Sequence, residues 1–135
     1  MAKSPGPFDI AKMGAILSPS GHTYVREITP DFYQKLDAEF DGFAGHALVA
    51  RHTFSEAWPT WEMHPKGDEL VFLLSGDADF VLWIDGKEDI VRVNEPGHYV
   101  VVPKGIWHTV RPHQTTSMLF ITPGEGTLNA NTPQL

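Results

Sequence analysis

Glycines and prolines divide the chain at short intervals, and between them lie runs of four to eight apolar or β-branched residues. Such runs, bounded by turn residues, are the rhythm of an all-β sandwich or barrel. The pattern predicts strands over 23–28, 46–54, 60–64, 69–74, 77–84, 88–93, 98–102, 107–111 and 117–122. Between the fifth and sixth of these, Asp85-Gly86 is a two-residue hairpin signal. A single stretch has helical spacing: Phe32, Leu36 and Phe40 recur every four residues. Thr29 is the expected N-cap of that helix, with Pro30 at its first position and Asp31 favouring its dipole. Residues 1–20 read as an arm and 124–135 as a tail, which leaves 21–123 for the barrel.

Composition narrows the function classes. The 135 residues suit one domain with a real core. No cysteine is present, which removes disulfides, thiolate metal sites and a cysteine nucleophile; any metal must be held by His, Asp or Glu. Seventeen acidic residues against ten scattered basic ones give a net charge of −7, which argues against nucleic-acid binding. No apolar run approaches the roughly 20 residues that span a bilayer. The expectation is a soluble, cytoplasmic protein.

Four groups that bind divalent ions fall at strand ends. Glu62 and His64 are two residues apart, so a strand sends both side chains from one face. The turn Pro65-Lys66-Gly67 brings the chain back at Glu69, and His108 follows a second turn, Pro103-Lys104-Gly105. Together these residues make a candidate metal site.

At these positions the chain resembles the cupins, small double-stranded β-helix barrels of the jelly-roll type. The family's first motif is Gly, five residues, His-x-His, three or four residues, Glu, six residues, Gly. His64, Glu69 and Gly76 match it in order, with four and then six residues between them. The second motif is Gly, five residues, Pro-x-Gly, two residues, His, three residues, Asn, and Gly97, Pro103, Gly105 and His108 match it. The resemblance implies a cupin barrel with one short helix near the N-terminus and a divalent metal (iron, manganese or zinc, with nickel also compatible).

Three positions depart from the family pattern: Glu56 replaces the leading glycine, Pro112 the closing asparagine, and Glu62 the first histidine of the pair. Only the last alters the chemistry. Glu62 can complete a four-ligand site of zero net charge with His64, Glu69 and His108. It can instead stand beside a two-histidine, one-carboxylate site as a catalytic proton carrier, or weaken binding until the barrel is metal-free.

His52, Phe72, Trp83, Met118 and Phe120 are the expected pocket wall, and a wall of that kind around a few polar groups suits a small-molecule ligand. Arg51 is expected to pair with a surface acid. The function this implies is a metal-dependent enzyme acting on a small organic molecule, as dioxygenase, isomerase or lyase. The alternative is a non-catalytic ligand or metal sensor. Small cupins commonly pair, so a homodimer is expected, with the arm as the exchanged element.

Overall fold

The computed structural model describes residues 4–133. Its elements, in order, are β1 (Met13–Leu17), β2 (Thr23–Glu27), α1 (Phe32–Glu39), β3 (Ala47–Phe54), β4 (Trp61–Met63), β5 (Glu69–Ser75), β6 (Ala78–Ile84), β7 (Lys87–Val93), β8 (Tyr99–Val102), β9 (His108–Pro112), β10 (Thr116–Thr122) and β11 (Leu128–Ala130). Two antiparallel sheets face each other, one ordered β2-β1-β3-β10-β5-β8 and the other β11-β4-β9-β6-β7. This is the jelly-roll barrel that the two motifs imply.

Alternation along the strands fills the space between the sheets. Val71 and Leu73 of β5, Phe80 and Leu82 of β6, Val100 and Val102 of β8, and Met118 and Phe120 of β10 are buried in one core. A second cluster forms where α1 meets the larger sheet: Phe32, Leu36, Phe40 and Phe43 close over Ile16, Leu48 and Ala50. Asp85-Gly86 forms the expected tight hairpin, with positive φ at both positions (54° and 75°), and sets the register Ile84 opposite Lys87.

Three expectations need correction. Residues 1–20 are not only an arm: β1 pairs with both β2 and β3, and Ile16 is fully buried. The run 13–17 reads weakly in sequence because Gly14 and Ala15 carry little apolar surface. Residues 124–133 likewise include β11, which pairs with β4. The outermost residues of both segments, 1–3 and 134–135, lie outside the described residues. Finally, α1 starts after Asp31, and no side chain caps its first turn; the Thr29 hydroxyl donates to the Asp31 carboxylate instead, 2.7 Å away.

Candidate metal centre and cavity

The barrel topology brings the two motifs together. Glu62 on β4 lies opposite His108 on β9, and Glu69 opens β5 on the same inward parity as Val71 and Leu73. The motif turns are laced to each other: Gly105 N–H donates to the His64 carbonyl (2.9 Å), and Lys104 N–H donates to the Asp68 carboxylate (2.8 Å). His64, Glu69 and His108 are 3%, 2% and 0% exposed.

Ligand atoms of Glu62, His64 and His108 all lie within 4.8 Å of one another. Glu69 reaches both imidazoles, its Oε1 3.2 Å from His108 Nε2 and its Oε2 3.3 Å from His64 Nε2. These contacts lack hydrogen-bond alignment, so His64 Nε2, His108 Nε2 and Glu69 Oε1 are buried without hydrogen-bond partners. Orphaned buried polar atoms are costly, and three of them side by side call for a common partner.

The far side of each ring fixes its tautomer. His108 Nδ1 faces the Ile106 carbonyl at 3.1 Å; a carbonyl only accepts, so Nδ1 carries the proton. His64 Nδ1 lies 2.8 Å from Thr127 Oγ1, whose own proton goes to the Gly124 carbonyl. That network assigns the proton of His64 to Nδ1 as well. Both Nε2 lone pairs are thereby directed at the centre, as a metal-binding histidine requires. Thr122 Oγ1 donates to Glu69 Oε2 at 2.6 Å and orients the carboxylate. The donor set therefore fits a divalent ion: two neutral imidazoles and one buried carboxylate, with Glu62 beside them.

Charges in the site are coupled. Burial raises the Glu69 carboxyl, but the two imidazoles beside it prevail and hold it at about 2. Burial, reinforced by repulsion from Glu69, pushes Glu62 upward. Burial lowers His108, and the adjacent Glu69 more than offsets this, so His108 lies above its ordinary value. His52 is lowered by burial and stands neutral at neutral pH.

A cavity of about 650 Å³ opens in front of Glu62, His64 and Glu69. His52 and Phe120 line it, as expected. Phe72, Trp83 and Met118 do not. Phe72 has the opposite parity to Glu69 on β5 and meets Tyr99 outside the barrel at a tilt, with ring centroids 4.9 Å apart. Trp83 has the opposite parity to Leu82 and meets Trp61 edge-on. Met118 points inward but is packed in the core, 1% exposed. Among the described residues Arg51 pairs with no acid; its Nε donates to Ser117 Oγ at 2.7 Å. Sequence reasoning missed Thr122 and Thr127, and the α1 residues Tyr33 and Asp37 at the cavity. Thr122 follows from the alternation Met118, Phe120, Thr122 on β10, whereas nothing in the local sequence marks Thr127.

A family model described as a cupin domain matches residues 53–124. The chain belongs to the cupin family. Among solved structures, an oxalate oxidase is similar at 18% identity over 61% of this chain and 45% of its own, with a TM-score of 0.51. The oxalate decarboxylase of Bacillus subtilis, described with Mn(II) centres, is 20% identical over 62% of this chain and 23% of its own, with a TM-score of 0.52. A cupin-2 domain protein of Shewanella frigidimarina NCIMB 400 is 17% identical over 57% of this chain and 70% of its own, with a TM-score of 0.49. The chain thus spans less than half of the oxalate oxidase and less than a quarter of the decarboxylase. At these identities the likeness shows the shared fold. No curated protein sequence matches the chain. Among the described residues no helix is long and apolar enough to cross a membrane.

Proposed function

We propose that this cupin is a metal-dependent enzyme that acts on a small organic molecule, with His64, His108 and Glu69 holding a divalent iron, manganese or zinc ion. The observation that carries this reading is the pair of buried imidazoles, both protonated on Nδ1, whose unpartnered Nε2 atoms meet an unpartnered Glu69 oxygen at a cavity. Bound there, a divalent ion supplies Lewis acidity, and a redox-active one supplies electron transfer as well. Glu62 is the proton carrier. Its carboxylate lines the cavity, its Oε2 is 3.6 Å from His64 Nε2, and burial raises its proton affinity toward the working range. Trp58 and Phe120, with ring centroids 5.8 Å apart, form an apolar part of the cavity wall.

Metal analysis of protein purified without chelators tests this. One ion per chain is expected in the wild type and in Glu62→Gln, and none in His108→Ala. Unchanged stoichiometry in His108→Ala overturns the site, and loss of the ion in Glu62→Gln makes Glu62 a ligand. The reaction class follows from turnover screens, with oxygen uptake by the Fe(II) protein on diketone, thiol and phenolic substrates as the first.

The protein is also proposed to be a homodimer, joined face to face through the larger sheet. Val25, Ala15, Val49, Ile121, Leu70 and Val101 stand side by side in one uncharged row across all six strands. Strands about 4.8 Å apart make such a row roughly 24 Å wide. Tyr99 (58% exposed) and Leu74 (40% exposed) extend this apolar face, and a contiguous exposed apolar face is a common mark of an interface. A dimer in sedimentation that becomes a monomer in Val101→Glu is the expected result; a wild-type monomer at every concentration overturns it.

A further inference from the structure

The charge inside the cavity is one-sided. Its charged lining residues are Asp37, Glu62 and Glu69, and no lysine or arginine lines it. A divalent ion balances Glu62 and Glu69, and Asp37 is left over. Among the described residues no cation pairs with Asp37; Lys35, its near neighbour on α1, reaches back to Asp31 at 3.4 Å. The same cavity carries a run of aromatic side chains. Phe54 meets Trp58 with ring centroids 5.7 Å apart, Trp58 meets Phe120 at 5.8 Å, and Phe120 meets His52 at 5.5 Å. The buried Glu69, with Oε1 unpartnered, closes the inner end.

We infer that the cavity selects a small molecule with an ammonium group on an aromatic or similarly sized apolar body over its uncharged counterpart. This rests on the metal-site reading above, since the balance of Glu62 and Glu69 needs the ion. The cation gains twice, from Asp37, which is solvent-exposed, and from the aromatic side chains of Trp58 and its neighbours. A volume of about 650 Å³ admits a substituted benzene ring with room to spare.

The test uses the full-length protein loaded with Zn²⁺, its stoichiometry measured first, and two probes: benzyltrimethylammonium and benzyl alcohol. The quaternary ammonium cannot coordinate the ion, so its preference reads the lining alone. Titrations followed by NMR are expected to show it binding about tenfold tighter than the alcohol. Asp37→Asn is expected to bring the ammonium within about twofold of the alcohol, with zinc stoichiometry unchanged. An ammonium no tighter than the alcohol overturns the inference, as does a preference that survives Asp37→Asn. Zinc stoichiometry well below one with the selectivity intact instead removes the metal reading and leaves the negative aromatic cavity standing.

Discussion

The Nδ1 of His64 is held by the hydroxyl of Thr127, 2.8 Å away, and Thr127 lies on the chain just before β11. A residue 63 positions further along thus sets the tautomer of the first motif's histidine. Partners of this kind typically carry 10–100-fold in metal affinity. Thr127→Val is expected to weaken Zn²⁺ binding by roughly that factor while moving the urea midpoint little, and Thr127→Ser to restore it. Chelator competition measures both, and an unchanged affinity in Thr127→Val removes the tautomer argument.

The same centre predicts the pH dependence of the metal-free barrel. Glu69, held at about 2 against an ordinary 4.5, gives stability that is complete above 4.5 and is lost as pH falls toward 2. His108 is raised above 6.5, so its contribution is complete below 6.5 and disappears as pH rises through the folded value. Glu62, raised above 4.5, costs stability as it ionises on the alkaline side. Chelator-treated protein is therefore expected to be most stable between the ordinary Glu and His values, 4.5 and 6.5, with a urea midpoint that falls toward about pH 8. Saturating Zn²⁺ reverses the alkaline decline, because the ion requires neutral imidazoles and ionised carboxylates. A metal-free midpoint that is flat from about pH 5 to 8 contradicts the coupling.

Gly76 closes the first motif for a steric reason. Its φ is +105°, and a Cβ there would stand 2.6 Å from the Thr115 carbonyl oxygen and from the Cα and Oγ1 of Thr116. Two of those three atoms belong to the backbone and cannot swing aside. Gly76→Ala is expected to cost about 2 kcal/mol or more, from the positive φ and the clash together. Urea denaturation reads this directly, and a change under about 0.5 kcal/mol means that the loop yields.

The barrel and four of the site residues were legible because they depend on local signals. Runs bounded by glycine and proline define strands, Asp85-Gly86 defines a hairpin, and the motif spacings place Glu62, His64, Glu69 and His108 together. Phe72 and Trp83 could have been set aside by parity, since a strand cannot send Glu69 and Phe72 to one face. Met118 could not, because parity puts it inside and only depth separates core from cavity wall. Thr127 and Asp37 reach the site through tertiary placement of β11 and α1, and no local pattern encodes a contact across 63 residues.

The N-terminal segment offers the sharpest contrast between sequence and fold. Ile16 lies in β1 between Tyr24 of β2 and Leu48 of β3, and it is fully buried beneath Phe32 and Leu36 of α1. Leu48 and Leu36 also line the cavity, so this cluster holds α1, and with it Asp37, over the opening. Truncating a buried isoleucine in such a cluster costs about 2–5 kcal/mol, because the space left behind collapses only in part. A frayed arm would tolerate the same change within about 0.5 kcal/mol. Ile16→Ala is therefore expected to lower the urea midpoint in line with a core substitution. It is also expected to weaken benzyltrimethylammonium binding more than Zn²⁺ binding, since the metal ligands sit just after β4 and on β5 and β9, away from β1. Equal losses of both would mean that the second cluster supports the metal centre as well as the cavity mouth, and no loss of stability would return residues 13–17 to the status of an arm.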